Sequence, residues 1–146
     1  MTKGDVNGDG LEDLFIGGAS GQSGAIFLHN KNGKFTASTQ VVFDQDAYSE
    51  DTGACFADID NDGDQDLYVC SGGYDLFLPD DPALQDRIYL NDGKGKFTKS
   101  PDALPSMLVS KSCVTGADFN GDGYIDFFVG GRVIPGRYPE TPLSFL

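Results

Sequence analysis

Apolar positions along the chain come in short runs, each preceded by an acidic loop and closed by paired glycines. Leu14-Phe15-Ile16 leads to Gly17-Gly18, Leu67-Tyr68-Val69-Cys70-Ser71 to Gly72-Gly73, and Phe127-Phe128-Val129 to Gly130-Gly131. Runs this short, bounded by turn formers, predict strands rather than helices. A second landmark repeats between them. Leu28-His29-Asn30-Lys31-Asn32-Gly33-Lys34-Phe35 and Leu90-Asn91-Asp92-Gly93-Lys94-Gly95-Lys96-Phe97 each read as a strand end, a polar turn and a new strand.

The spacing turns these pieces into a repeat. Asp5 to Asp58 is 53 residues and Asp58 to Asp118 is 60. A period of that size with four short strands matches one blade of a β-propeller, a four-stranded antiparallel meander. Strand A enters the acidic loop (Gly53–Ala57, Val114–Ala117), B leaves it, C ends at the Lys/Gly turn (Ile26–Leu28, Arg87–Leu90), and D begins at Phe35 or Phe97. The expected fold is all-β, a single propeller segment over 1–146. Its parts are a partial blade in 1–50, a whole blade in 51–110 and a partial blade in 111–146, about two and a half blades of an incomplete ring. On this register the chain opens at the A–B loop of its first blade and stops near strand C of its third.

The acidic loops carry the chemistry. They are Asp5-Val6-Asn7-Gly8-Asp9-Gly10-Leu11-Glu12-Asp13, Asp58-Ile59-Asp60-Asn61-Asp62-Gly63-Asp64-Gln65-Asp66 and Asp118-Phe119-Asn120-Gly121-Asp122-Gly123-Tyr124-Ile125-Asp126. Carboxylates this dense repel one another unless a hard cation lies among them. Side chains at loop positions 1, 3 and 5, the carbonyl of position 7 and the carboxylate of position 9 can converge on one centre, an oxygen-only set suited to Ca²⁺. The predicted ligands of three sites are therefore Asp5, Asn7, Asp9, Leu11 and Asp13; Asp58, Asp60, Asp62, Asp64 and Asp66; and Asp118, Asn120, Asp122, Tyr124 and Asp126. An EF-hand also begins this way, but it needs a Glu at position 12 between helices. Here that position is Ile16, Val69 or Val129 within a strand-type run.

Charge supports the same reading. The net charge is −13, with ten Lys and Arg against 23 acids, which argues against nucleic acid as a partner. Three Ca²⁺ would bring −13 to −7. No run of 18 apolar residues offers a membrane span, and the first residues hold no signal-peptide pattern. The N-terminus reads as a cut inside a larger exported protein. Cys55, Cys70 and Cys113 are odd in number and lack metal-type spacing, so free thiols are expected. A symmetric loop would set residue 55 opposite 69 and place Cys55 and Cys70 on opposite faces.

The loop consensus, followed by an apolar strand and a Gly/Asn/Lys turn before Phe, resembles the FG-GAP or VCBS repeat of integrin α-subunit propellers, cartilage acidic protein and secreted bacterial proteins. The resemblance implies a calcium-bearing propeller with the ligand roles given above. It implies an extracellular, periplasmic or cell-surface module for binding, adhesion or scaffolding. With His29 as the one histidine and the carboxylate spacing accounted for by metal, no catalytic constellation is expected. The alternative is a substrate-holding part of a larger secreted enzyme, such as one acting on polysaccharide. Two insertions between strands B and C, Tyr74–Asp86 and Arg132–Pro142, offer Tyr74, Phe77, Leu78, Arg132, Arg137 and Tyr138 as a rim for a protein or glycan ligand. Uncovered end blades predict self-association or packing against the remainder of a larger propeller.

Overall fold

Two four-stranded meanders and a two-stranded ribbon stack in chain order in the computed structural model, which describes residues 1–146. The first sheet runs β1 (Thr2–Gly4), β2 (Asp13–Ile16), β3 (Ala25–His29) and β4 (Phe35–Ser38). After a short helix, α1 (Val41–Asp44), comes the second, β5 (Glu50–Ala57), β6 (Asp66–Gly72), β7 (Arg87–Leu90) and β8 (Thr98–Lys99). β9 (Ser110–Ala117) and β10 (Asp126–Val133) form the ribbon, and an isolated bridge from Val129 to Phe145 starts a third strand beside it. All pairings are antiparallel. These are two complete blades and half of a third. No helix is long and apolar enough to cross a membrane.

One expectation is corrected at the start of the chain. The first blade does not open at its A–B loop: Thr2, Lys3 and Gly4 pair with Phe15, Leu14 and Asp13 and supply strand A. Three residues carry too little pattern to read as a strand, and pairing with β2 makes them one.

Successive side chains on a strand point to opposite faces, and the middle sheet uses both. Leu67, Val69 and Tyr89 join Phe15 and Ile26 of the first sheet and Val6 of its acidic loop in one core cluster. Tyr68, Cys70 and Ile88 join Met107 and Val129 in another, on the side of the ribbon. This two-sided burial explains why β6 reads as an unbroken apolar run. It also leaves outward faces on the end sheets, where Ile16 is 44% and Phe128 42% exposed.

The register of β5 and β6 corrects the cysteine geometry. Cys55 pairs with Tyr68 and Val69 with Ala54, one residue away from the symmetric expectation. Cys55 and Cys70 consequently share a face. All three cysteines are free.

Helix α1, absent from the sequence-based elements, links the first two blades. Its Phe43 is 3% exposed and packs edge-on against Phe15 at 5.7 Å and Tyr89 at 4.9 Å between ring centroids. At the other junction Lys111 of β9 is fully buried. Its ammonium donates to the carbonyls of Leu84 and Met107 and pairs with Asp86 at 2.9 Å, which uses all three N–H bonds. Burial drives the Asp86 carboxyl up and the Lys111 ammonium down in pKa, against their mutual attraction.

Phe43→Ala is expected to cost about 3–5 kcal/mol, the range for a buried aromatic truncation. Val41→Ala, on the exposed side of the same helix, should stay within about 0.5 kcal/mol. Urea unfolding in calcium measures both, and equal effects would contradict the assignment of Phe43 as the blade-to-blade wedge.

Candidate metal centre

Each acidic loop is wound by its own side chains around its first residue. Asp5 accepts the backbone N–H of Gly8 and Asp9 on Oδ1 and of Gly10 on Oδ2. Asp118 repeats the pattern with Gly121, Asp122 and Gly123, and Asp58 with Asp62 and Gly63. Residues at positions 3 and 5 add shorter turns. Asn7 accepts from Asp9 and Asp9 from Leu11; Asn120 accepts from Asp122 and Asp122 from Tyr124; Asp62 accepts from Asp64. The position-6 glycines, Gly10, Gly63 and Gly123, turn the chain with φ of 86°, 95° and 88°, a region other residues enter at a cost.

The closing carboxylate at position 9 ties the loop to the sheet. Asp13 accepts the N–H of Val6 at 3.1 Å on Oδ2 and of His29 at 2.7 Å on Oδ1. Asp66 does the same with Ile59 at 2.9 Å and Asn91 at 2.8 Å. Both are almost wholly buried. Asp126 accepts from Phe119 at 3.1 Å. Burial raises the Asp66 pKa, and the N–H bonds from Asn91 and Ile59 oppose the rise.

In the middle loop these constraints bring Asp58, Asp60 and Asp66 together. One carboxylate oxygen from each lies within 4.8 Å of the other two, a grouping that could hold a metal ion. Oxygen-only donors of this charge fit a hard divalent cation. In the first and third loops position 3 is Asn7 or Asn120, so the matching trio has two carboxylates and an amide oxygen. Asp62 and Asp64 stand outside the trio. Burial, and then the charges of Asp62, Asp66, Asp60 and Asp58, push the Asp64 carboxyl up to about 6. One Asp64 oxygen, Oδ1, is buried without a hydrogen-bond partner.

With this geometry in view, the comparison with known families is direct. A model of the FG-GAP-like repeat matches residues 5–69 and again 72–129. The chain belongs to the FG-GAP-like repeat family. No curated protein matches it.

Two contributors to the loop end of this FG-GAP-like chain are asparagines that the loop consensus does not single out. Asn91 Nδ2 donates to Val6 O at 2.8 Å and Gln65 O at 3.1 Å, joining the first loop to the second. Asn61, in the left-handed region at φ 63°, donates to Gly123 O at 3.1 Å and joins the second to the third. Asn91 takes the place that His29 holds in the first blade, so the repeat carried no signal for its bridging side chain. On the insertions, Tyr74, Leu78 and Tyr138 are exposed as expected, but Phe77 is not. It is 4% exposed, clustered with Ala83 and Leu84 under its own loop. Arg137 sits 3.8 Å from Glu140.

The double role of Asp66 separates from ligation in a simple comparison. In EDTA, Asp66→Ala should still destabilise by about 2–5 kcal/mol, because two N–H groups lose their acceptor in a buried place. Asp60→Ala in EDTA should be neutral or stabilising, since it removes only repulsion. Urea melts of both variants against wild type decide this, and equal losses would contradict it.

Proposed function

We propose that this chain is a calcium-stabilised propeller segment of an exported protein and serves as a non-catalytic binding, adhesion or scaffold module. The observation that carries the reading is the trio Asp58, Asp60 and Asp66, three carboxylates within 4.8 Å in a loop whose backbone pattern recurs at Asp5 and Asp118. Three Ca²⁺ ions would be held by the residues at positions 1, 3, 5 and 9 and the carbonyl of position 7. Extracellular calcium modules bind at about 10⁻⁴–10⁻³ M, a range matched to a calcium-rich compartment.

The ligand-facing surface we assign to the end of the blades opposite the loops. There an open cleft of about 560 Å³ is lined by Tyr74, Asp75, Arg132, Val133 and Tyr138. Two exposed aromatic rings beside an arginine without a protein partner suit a protein or glycan ligand.

Calcium binding becomes folding free energy when the unfolded chain lacks the site. At about 100 times Kd each site adds about 2.7 kcal/mol. Thermal melts should therefore rise in calcium and fall in EDTA, and equal melting temperatures would overturn the proposal. Asp60→Asn gives the middle loop the same donor set as its neighbours, so calcium titration should show the tightest step weakened.

We further propose that the outward faces carrying Ile16 and Phe128 pack against other blades, in a longer chain or another copy. Light scattering at rising concentration should show association that Ile16→Glu and Phe128→Glu abolish. A monomer at every concentration would contradict this.

A further inference from the structure

Where the second blade meets the ribbon, a lysine and an aspartate face each other out of reach of water. Asp86 stands immediately before β7 and Lys111 is the second residue of β9, and both side chains are 0% exposed. Lys111 Nζ lies 2.9 Å from Asp86 Oδ1. Both partners are held in place. The Lys111 carbonyl accepts the hydroxyl of Thr52 at 2.9 Å, and its ammonium donates to the carbonyls of Leu84 and Met107. Asp86 Oδ1 accepts the N–H of Ser71 at 2.8 Å, and Oδ2 accepts the hydroxyl of Tyr68 at 2.9 Å. No other ion pair of the chain combines these features. Lys3 with Glu12, Lys99 with Asp46 and Arg137 with Glu140 reach solvent, and Arg87 with Asp51 is buried but presents a guanidinium, which stays charged and does not attack a carboxyl.

These contacts give each atom a part in amide formation. Two carbonyls take two of the N–H bonds of Lys111, so the third direction on Nζ, the one that becomes a lone pair when the ammonium loses a proton, is aimed at the Asp86 carboxyl. Burial draws both groups toward their neutral forms, the state in which an amine attacks a carboxyl carbon. The N–H of Ser71 meets Oδ1, where negative charge grows as Nζ adds to Cγ. The hydroxyl of Tyr68 meets Oδ2, the oxygen that leaves. Groups fixed side by side react at effective concentrations that reach about 10⁵ M, and a site closed to solvent slows the reverse hydrolysis.

We infer that Lys111 and Asp86 join in an intramolecular isopeptide bond from Nζ to Cγ. The Nζ–Cγ bond forms and the Cγ–Oδ2 bond breaks; Nζ releases two protons, Oδ2 takes them and departs as water, and nothing is oxidised or reduced. The cross-link ties the residue before β7 of the second blade to the first strand of the ribbon. It closes a loop over residues 86–111 and, unlike a disulfide, needs no oxidising compartment and survives reductant.

Intact-mass spectrometry of the purified, folded chain tests this. The expected mass is lower than that of the sequence by one water, and a digest should contain one branched peptide joining the segment with Asp86 to the segment with Lys111, where trypsin no longer cuts. Asp86→Ala and Lys111→Arg should each restore the full mass. Tyr68→Phe keeps the ring and removes the hydroxyl; in time courses on freshly expressed protein it should lose water at least about tenfold more slowly than wild type. Succinimide formation at Asp9-Gly10, Asp62-Gly63, Asp92-Gly93 or Asp122-Gly123 also releases one water, so fragmentation of the digest must place the loss at residues 86 and 111. The full sequence mass in folded wild type, or a water loss that maps to an Asp-Gly step, would overturn the inference. Both readouts use the wild-type chain, so a variant that fails to fold leaves them decisive. The bond is read whether or not calcium is bound, and the two proposals fail separately.

Discussion

Mutual repulsion among carboxylates is the constraint on which the loop end of this molecule depends. Two unit charges at 4.8 Å repel by about 3–4 kcal/mol at an effective dielectric near 20, and water around the exposed Asp60 reduces the figure. Backbone N–H groups aimed at Asp58 and Asp66 offset part of that repulsion. They do so by fixing the loop, so the same bonds that stabilise the anions define where a cation would sit. The closing aspartate extends this order into the blade. One of its oxygens holds the loop and the other holds the residue that follows strand C or ends it, Asn91 or His29.

From this anchor the blade geometry follows. A strand that begins at a buried aspartate has its alternation set from the first residue, so Leu67 and Val69 face one neighbour and Tyr68 and Cys70 the other. The same phase in the end blades leaves Ile16 and Phe128 turned outward. Loop, strand and inter-blade packing are thus one unit, repeated with local changes. Those changes gather at the opposite end, where the Tyr74–Asp86 insertion folds Phe77 inward and leaves Tyr74 and Leu78 outside.

Much of this was legible in the sequence because the repeat is read from residues that act locally. An aspartate that turns a loop, a glycine with positive φ and an apolar run ending in Gly-Gly need no knowledge of distant partners, and the blade order, the loops and the β2, β6 and β10 strands followed from them. What escaped depends on long-range contacts. Thr2–Gly4 is a strand only because β2 lies beside it, and α1 is four residues whose helicity serves to bury Phe43. The one-residue shift between β5 and β6 reversed the relation of Cys55 to Cys70. The loop residues were found, but the second duty of Asp13 and Asp66, and the bridging by Asn61 and Asn91, require knowing which backbone groups come near.

The central claim is that the carboxylate trio is built around calcium. Crystals grown in millimolar calcium and measured at a long wavelength would give an anomalous difference map that reads the sites one by one. The account predicts a peak about 2.3–2.6 Å from oxygens of Asp58, Asp60 and Asp66, with counterparts in the loops at Asp5 and Asp118. An ordered middle loop without anomalous density would contradict it.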